Sequence, residues 1–344
     1  MFEKLCTFWT QSFRIPPPPL TEKNLADQAG KVYLITGANT GIGYQLSAIL
    51  YSHNAKVYIG ARSESKAKDA ITSLQQLHPN SKGSLEYLHL DLSDLTSIKA
   101  TAEEFMRRET KLHWLNNNAG VMVPRAGSKG AQGMDLQFQT NILGPFLLTK
   151  LLLPVLRRTA AAESESGTTS TVRVSWAGSS ATDLMSPKGG VAWTKKESGG
   201  EEEEITLDDS LGASANYGIT KAANYFLAHE FGKRFGARDG VLHNSYNPGN
   251  LRSDLQRHAQ AQYSAFALWL LSKLLLYPTV YGAYTELYAG LSEDLTINAD
   301  QGVYIVPWGR RAGVKKDVAV EVEKEGGNAE KLYEWCDRVT REYA

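Results

Sequence analysis

The sequence is poor in cysteine and carries no net charge. Its two cysteines, Cys6 and Cys336, lie near opposite ends of the 344-residue chain. This number and spacing indicate neither a disulfide framework nor a metal motif, so we expect a reducing compartment, the cytoplasm, and no metal site. Lys plus Arg and Asp plus Glu both number 37, so the formal net charge is zero. That balance argues against a nucleic-acid-binding protein, which normally has a basic excess or a basic stripe.

Long hydrophobic runs are also missing. The first nine residues lack the continuous apolar core and the small-residue cleavage site of a secretory signal. An apolar stretch at residues 266–276 contains Lys273 and is shorter than the roughly 20 residues that cross a bilayer. We therefore predict no integral membrane span and interpret the stretch as a buried or cleft-lining helix. Contact of this stretch with a membrane surface stays open as an alternative.

What the sequence does contain is an alternation of apolar runs and helical patterns after the stiff proline run at residues 16–19. The runs predicted as strands are residues 31–36, 56–61, 85–90, 112–117, 171–177, 241–247 and 302–306. Helical patterns include residues 65–77, 97–108 and 132–156. Apolar runs without polar alternation suit strands that are covered on both faces. The alternation therefore predicts one α/β domain, a doubly wound parallel sheet with helices on both faces.

Three segments lie outside this alternation. Residues 1–29 are predicted as an N-terminal arm, and residues 30–308 as the α/β domain. Within that domain residues 186–213 contain two glycine pairs and a run of four glutamates, which is typical of a solvated surface loop. Residues 309–344 are charged with a helical pattern, so we predict a helical extension that packs its aromatic residues on the domain.

The most informative motif is the glycine cluster at residues 36–43. It follows the apolar residues 32–35 and precedes the amphipathic residues 44–50, so it lies in a strand–turn–helix context. Glycines there let the turn close and let backbone N–H groups approach a pyrophosphate at the positive end of the helix. The predicted cofactor contacts in this turn are Gly37, Asn39, Thr40, Gly41, Ile42 and Gly43.

Further motifs follow in order along the chain. They are the pair Asp91 and Leu92, the segment 117–120 (Asn-Asn-Ala-Gly), the Tyr-x-x-x-Lys pattern of Tyr217 and Lys221, and the Pro-Gly loop that begins at Pro248. Each alone is explained by a turn or by a surface pair on a helix. Together they follow the carboxyl ends of predicted strands, where ligands bind in open parallel sheets.

With its Gly-x-x-x-Gly-x-Gly spacing and these motifs, the chain resembles the short-chain dehydrogenase/reductase family over roughly residues 30–307. The resemblance implies a Rossmann-type fold, a nicotinamide cofactor and no metal. The catalytic residues it implies are Asn141, Ser179, Tyr217 and Lys221. Besides the glycine turn, the implied cofactor contacts are Asp91, Leu92, Asn118, Ala119, Gly120, Tyr217, Lys221, Pro248, Gly249, Leu251 and Ser253. The chain is most similar to retinol-dehydrogenase-like and WW-domain-oxidoreductase-like members. They share the long interval between Ser179 and Tyr217 and the residues of the glycine motif.

The choice of Ser179 has alternatives. Ser180 is its direct neighbour, and Ser175 is a more distant candidate. Ser179 is preferred because it keeps the register of a strand end.

The implied roles follow from the chemistry of hydride transfer, which needs a proton supplied or removed at the substrate oxygen. A tyrosine hydroxyl has an ordinary pKa of about 10, and a lysine one helical turn away is expected to lower it. Lys221 is therefore predicted to lower the pKa of Tyr217 and, from the resemblance, to hold the nicotinamide ribose. Ser179 can orient the substrate oxygen by a hydrogen bond. Asn141 is implied to hold, through its backbone, a water that links Lys221 to solvent.

The end of the second predicted strand indicates the cofactor. NAD-selective relatives carry an acidic residue there that binds the ribose diol. This chain has Ala61 and then Arg62, whose guanidinium can pair with a 2′-phosphate. We therefore predict NADP(H).

The stretch expected to cover the site, residues 263–276, is rich in Leu, Phe, Trp and Tyr. An apolar cover favours a lipophilic carbonyl or alcohol substrate. The sequence thus predicts an NADP(H)-dependent oxidoreductase. Two alternatives stay open: a non-catalytic cofactor-sensing scaffold on the same fold, and an epimerase or dehydratase with tightly bound cofactor. Homo-oligomer formation stays open as well.

Overall fold

The computed structural model describes residues 2–167, 170–196, 204–252 and 276–344. The strands in these residues are β1 (Val32–Thr36), β2 (Lys56–Ala61), β3 (Ser84–His89), β4 (Trp114–Asn117), β5 (Arg173–Ala177), β6 (Trp193–Lys196), β7 (Glu204–Leu207), β8 (Leu242–Tyr246), β9 (Tyr304–Val306) and β10 (Arg310–Ala312). Eight of them form one sheet in the order β10-β9-β8-β5-β4-β1-β2-β3. All its neighbours are parallel except β9 and β10. The strand order reverses direction between β1 and β4, which places the ligand crevice at their carboxyl ends.

Helices cover both faces of this sheet. The longer ones are α1 (Phe2–Ser12), α2 (Gly41–Ser52), α3 (Glu64–Leu77), α4 (Leu95–Arg108), α6 (Gly144–Glu165), α8 (Ala213–Phe231), α10 (Thr279–Leu291), α11 (Lys316–Glu323) and α12 (Asn328–Thr340). Short helices are α5 (Leu136–Phe138), α7 (Ala181–Leu184) and α9 (Ala237–Asp239). One buried cluster joins the sheet to α2, α3 and α10, and a larger one joins it to α4, α6, α8 and α12. The predicted fold class, a Rossmann-type doubly wound sheet with helices on both faces, is confirmed.

The seven apolar runs predicted as strands each overlap a strand of the sheet, with ends that differ by two residues or fewer. The sequence did not predict β10, because Arg310 and Arg311 interrupt the apolar pattern. This short antiparallel strand pairs with β9 at the edge of the sheet. Charged residues are common on such edges, where they oppose pairing with another chain.

The prediction of a solvated loop at residues 186–213 is wrong for the part that the structure describes. Strands β6 and β7 form an antiparallel hairpin. The indole of Trp193 donates a hydrogen bond to Asn328 Oδ1 at 3.0 Å and packs edge-on against Trp335, with ring centroids 6.5 Å apart. Arg338 donates to the carbonyl of Ile205 at 2.9 Å. The hairpin therefore gains its burial from the C-terminal helix α12, a contact that local composition does not reveal. Residues 197–203, with three of the four glutamates, lie outside the described residues.

The two ends of the chain also carry ordered elements. The N-terminal arm begins with helix α1, which the sequence prediction left out. At the other end, Tyr333 of α12 packs edge-on against Phe146 and Phe231, and Trp335 and Cys336 are buried. The C-terminal helix is thus part of the main core.

One helical stretch in the described residues, Leu136–Glu165, is long and apolar enough by composition to cross a bilayer. Its apolar window is 83% buried inside the protein, as in a core helix. The apolar stretch at residues 266–276, for which contact with a membrane surface was left open, lies outside the described residues apart from its last one.

Candidate active site

The glycine turn between β1 and α2 packs against the segment that follows β4. Gly37 has φ 69°, and a Cβ there would lie 3.1 Å from the Cα of Ala119. A Cβ on Gly43 would lie 2.7 Å from Nδ2 of Asn118 and 2.9 Å from the Cα of Ala38. These approaches leave no room for a side chain, so both glycines are required by packing.

The opposite side of the turn is open. A Cβ on Gly41 would meet no atom within 4 Å. Thr40, at the start of α2, is exposed and its side chain makes no capping hydrogen bond to the helix. Since the first N–H groups of a helix have no partner within it, they remain available to an anion. Asn39 is half-buried in the same turn, and Ile42 lies in the first turn of α2. These features fit a dinucleotide diphosphate.

The segment after β4 connects this turn to the lysine of α8. Asn118 Nδ2 donates to the carbonyl of Thr36 at 2.7 Å, and the N–H of Ala119 donates to the Thr36 hydroxyl at 2.9 Å. A Cβ on Gly120 would lie 3.2 Å from Asn141 Oδ1 and 3.7 Å from Lys221 Nζ. The glycine turn and the predicted catalytic residues therefore share one wall.

Asn141 is buried in a π-helical turn, Gln139–Leu143, that interrupts the long helix. Its side chain accepts from the N–H of Val121 at 2.8 Å and donates to the Val121 carbonyl at 2.9 Å. It also donates to the Thr220 hydroxyl at 3.2 Å. Turns of this kind occur often at functional sites. The bonds fix Asn141 between the 118–121 segment and α8.

Ser179, Tyr217 and Lys221 come together at the carboxyl end of β5. Ser179 follows that strand, half-buried, with its side chain near enough to the hydroxyl of Tyr217 to lower its pKa, and its hydroxyl accepts from the N–H of Ala181 at 3.2 Å. Lys221 follows Tyr217 by one turn of α8, with Nζ 5.4 Å from the centre of the tyrosine ring. Its Nζ donates to the carbonyl of Ala177 at 2.9 Å. This is the arrangement that the sequence predicts for a proton donor, its orienting serine and a neighbouring cation.

The alternative serines differ in their surroundings. Ser175 is fully buried inside the sheet, where its hydroxyl accepts from the indole of Trp114 at 3.0 Å. Ser180 is half-buried at the start of α7. The proximity of its side chain to Tyr217 therefore favours Ser179.

The electrostatic state of Tyr217 differs from the expectation. Burial raises the pKa of Tyr217 to about 12, and the hydrogen bond from Ser179 acts in the opposite direction. Burial also lowers the pKa of Lys221 to about 8, with the charge of Glu286 opposing the shift. The predicted lowering of the Tyr217 pKa by Lys221 is wrong for this structure, because desolvation dominates and the lysine binds Ala177. Tyr217 is thus protonated at neutral pH.

Arg62 and Asp91 lie at neighbouring strand ends. Arg62 is exposed directly after β2, and it has no hydrogen bond or ion pair with any residue that the structure describes. Asp91 accepts from the N–H and the hydroxyl of Ser93 at 2.9 and 2.6 Å, which closes a local turn. Leu92 is buried beside it. The guanidinium of Arg62 is therefore free to meet a phosphate.

The loop that begins at Pro248 lies after β8. Gly249 has φ 94°, and a Cβ there would lie 2.6 Å from Trp308. Leu251 is buried and contacts Gly282 of α10. Tyr277 pairs with this loop, since its N–H donates to the carbonyl of Asn250 at 2.8 Å. Ser253 and residues 263–275, predicted to bind the cofactor and to cover the site, lie outside the described residues.

Sequence reasoning missed a buried polar ring behind the site. Asn116 Nδ2 donates to Glu286 Oε2 at 2.8 Å, and the hydroxyl of Tyr246 lies 2.8 Å from Asn116 Oδ1 and 3.1 Å from Glu286 Oε1. All three residues are fully buried. The sequence feature that could have indicated this ring is Glu286, an acidic residue within the apolar sequence of α10.

Comparisons with known proteins bear on the family and the fold of the chain. The family model for short chain dehydrogenase matches residues 31–175. A short-chain dehydrogenase/reductase of Phomopsis amygdali is 41% identical over 352 residues, which cover 99% of this chain and 98% of that protein.

Two solved structures share the fold. The Pseudomonas aeruginosa RhlG/NADP active-site complex has a TM-score of 0.58 and 24% identity, with 78% of this chain and 93% of that chain covered. The NADPH-bound carbonyl reductase from chicken fatty liver has a TM-score of 0.55 and 21% identity, with 80% and 96% covered.

Proposed function

The chain belongs to the short-chain dehydrogenase/reductase family, and we propose that it is an NADP(H)-dependent carbonyl reductase or alcohol dehydrogenase. Its substrate would be a lipophilic ketone, aldehyde or secondary alcohol. The proposal rests on one observation. Ser179, Tyr217 and Lys221 lie close together, next to the segment 118–120 that contacts the glycine turn.

The cofactor would lie across the carboxyl ends of the central strands. The open side of the turn at Gly41 and the uncapped start of α2 suit its diphosphate. Gly120 leaves space between that turn and Lys221, and Pro248 and Gly249 begin the loop at the opposite end of the crevice.

Arg62 supports the choice of NADP(H). The residue before it is Ala61, so the strand end offers no carboxylate to a ribose diol. The free guanidinium can form a bidentate pair with a 2′-phosphate. The printed descriptions of the two solved relatives, with NADP and NADPH, are in keeping with this choice.

The nicotinamide supplies or accepts the hydride when it is bound, and the protein residues manage the proton. Tyr217, protonated at neutral pH, would donate its hydroxyl proton to the substrate oxygen during reduction. Ser179 lies beside that hydroxyl and would orient the substrate oxygen by a hydrogen bond. Lys221 has its amine beside the tyrosine ring, and it would hold the nicotinamide ribose.

The lipophilic substrate class rests on the composition of residues 263–276. The place of the chain in the retinol-dehydrogenase-like branch rests on the wording of its glycine motif and on the long interval before Tyr217. A cytoplasmic location rests on the two widely separated cysteines. All three are proposals.

The decisive experiment is NADPH oxidation by the purified protein with a panel of lipophilic aldehydes and ketones. Tyr217→Phe is the matched control, since it removes one oxygen and keeps the ring. General acid catalysis is typically worth ~10²–10⁴ in rate, so turnover should fall by at least that range while NADPH binding survives.

The rival functions give different results. A cofactor-sensing scaffold would bind NADPH without oxidising it with any carbonyl of the panel. An epimerase or dehydratase with tightly held cofactor would convert its substrate without net loss of NADPH. Equal turnover in Tyr217→Phe and the natural protein would refute the role given to the tyrosine.

A further inference from the structure

The end of helix α1 is buried against the loop after β8. Gln11 and Ser12 are 5% and 2% exposed, although they belong to an N-terminal arm. Asn247 Nδ2 donates to Gln11 Oε1 at 2.7 Å, and Asn250 Nδ2 donates to the Ser12 hydroxyl at 2.9 Å. These two hydrogen bonds join side chains that lie 236 and 238 positions apart in the chain.

Asn247 uses both atoms of its amide in this junction. While Nδ2 binds Gln11, Oδ1 accepts from the N–H of Gly249 at 3.0 Å. Gly249 has the left-handed φ of 94° and lies against Trp308. One buried side chain, 2% exposed, therefore connects the helix to the left-handed glycine of the loop.

Two further bonds fix the same helix end. The hydroxyl of Tyr277 donates to the carbonyl of Ser12 at 3.1 Å, and Arg310 donates to the carbonyl of Thr10 at 2.9 Å. Tyr277 itself pairs with Asn250 of the loop. These bonds satisfy terminal carbonyls of the helix, which would otherwise lack partners.

We propose that helix α1 is a wall of the nicotinamide pocket, in which Gln11 and Ser12 are positioning residues that hold the loop 247–250 in its cofactor-binding shape. This inference rests on the proposed function, because it assigns that loop to the cofactor. Loss of Gln11 leaves the buried amide of Asn247 without its acceptor and frees the loop to move.

Linkage makes the coupling reciprocal. If the helix favours the cofactor-bound loop, bound cofactor must stabilise the docked helix by the same factor. The exposed Arg14, with φ 49°, follows the helix directly and offers a trypsin site that reports on its docking.

The first measurement is NADPH binding by fluorescence titration, without substrate. We expect Gln11→Ala to weaken binding about tenfold, or about 1.4 kcal/mol, with an unchanged circular dichroism spectrum. Lys23→Ala is the control, since this exposed residue belongs to the same N-terminal arm and lies outside helix α1. Its affinity should stay within about twofold of the natural protein.

The second measurement is limited proteolysis, and it begins with the natural protein. Trypsin cleavage after Arg14 in the natural protein should slow several-fold at saturating NADPH, and Gln11→Ala should lose most of that protection. Absence of NADPH binding to the natural protein would overturn the proposed function itself. Binding that is equal in Gln11→Ala, together with cleavage after Arg14 that NADPH leaves unchanged, would overturn this inference and leave the proposed function standing.

Discussion

The buried ring of Asn116, Tyr246 and Glu286 predicts a stability that falls as pH rises. With an ionised Glu286, the single hydroxyl proton of Tyr246 faces two acceptors, Asn116 Oδ1 and Glu286 Oε1. With a protonated Glu286, each residue donates one hydrogen bond and accepts one, so the ring closes. Burial raises the pKa of Glu286 to about 8, while the hydrogen bonds from Tyr246 and Asn116 and the charge of Lys221 oppose the shift.

The direction of this pH dependence follows from the linkage between proton binding and folding. The pKa of this carboxyl is raised above its ordinary value of 4.5, so the folded protein holds one more proton than the unfolded chain between about pH 4.5 and 8. The stabilising contribution is fully present below that window and is lost as pH rises through it. The slope is at most about 1.4 kcal/mol per pH unit, which gives on the order of a few kcal/mol across the window.

The assay compares urea unfolding of the natural protein with that of Glu286→Gln from about pH 5 to about pH 9. A glutamine amide reproduces the protonated acid, because it donates to Tyr246 and accepts from Asn116. The two proteins should have similar free energies of unfolding at the acidic end. The variant should become progressively more stable than the natural protein toward the alkaline end. Differences caused by titrating groups that do not interact with Glu286 cancel in this comparison.

Glu293→Gln is the matched control, since Glu293 is exposed just beyond the same helix. Its difference from the natural protein should stay constant with pH. A constant difference for Glu286→Gln as well would refute the protonated ring. An increase in the stability of the natural protein relative to this variant with rising pH would also refute it, because it would show that the ionised Glu286 stabilises the fold.

Three other substitutions follow from the site. Arg62→Ala should weaken NADPH binding about ten- to a hundredfold and NADH binding much less, since a charge-assisted hydrogen bond is worth roughly 1.5–3 kcal/mol; equal weakening in titrations of both cofactors would contradict the selectivity. Lys221→Ala should lose both turnover and NADPH affinity, whereas Tyr217→Phe loses turnover alone, and unchanged affinity in the lysine variant would argue against contact with the ribose. Gly43→Ala should lower NADPH affinity and the melting temperature together, because a Cβ there lies 2.7 Å from Asn118 Nδ2; a melting temperature equal to that of the natural protein would show that the two segments can separate without cost.

The sequence predicts those features that depend on neighbours in the chain. Apolar runs mark the parallel strands because both faces of the sheet are covered, and the glycine turn is marked because Gly37 needs a left-handed φ. The spacing of Tyr217 and Lys221 on one helix places them together without any knowledge of the fold.

Features that need distant partners escaped sequence analysis. Asn116 and Glu286 are 170 positions apart, and the docking of Gln11 depends on Asn247, 236 positions away. The hairpin of β6 and β7 is buried by Trp335, which belongs to the last long helix. The Tyr217 pKa was misjudged for a related reason, since the desolvation that raises it comes from the packed surroundings and not from its helix.

The position of α12 has a consequence for the assembly of the core. Tyr333 contacts Phe146 and Phe231, which belong to the helices α6 and α8, so part of the apolar surface of α8 is covered by a segment that is distant in sequence. Contacts between distant segments form only after the entropy of loop closure has been overcome. While α12 is undocked, the chain already contains Tyr217 and Lys221 on α8, but it exposes apolar surface that favours aggregation and chaperone binding.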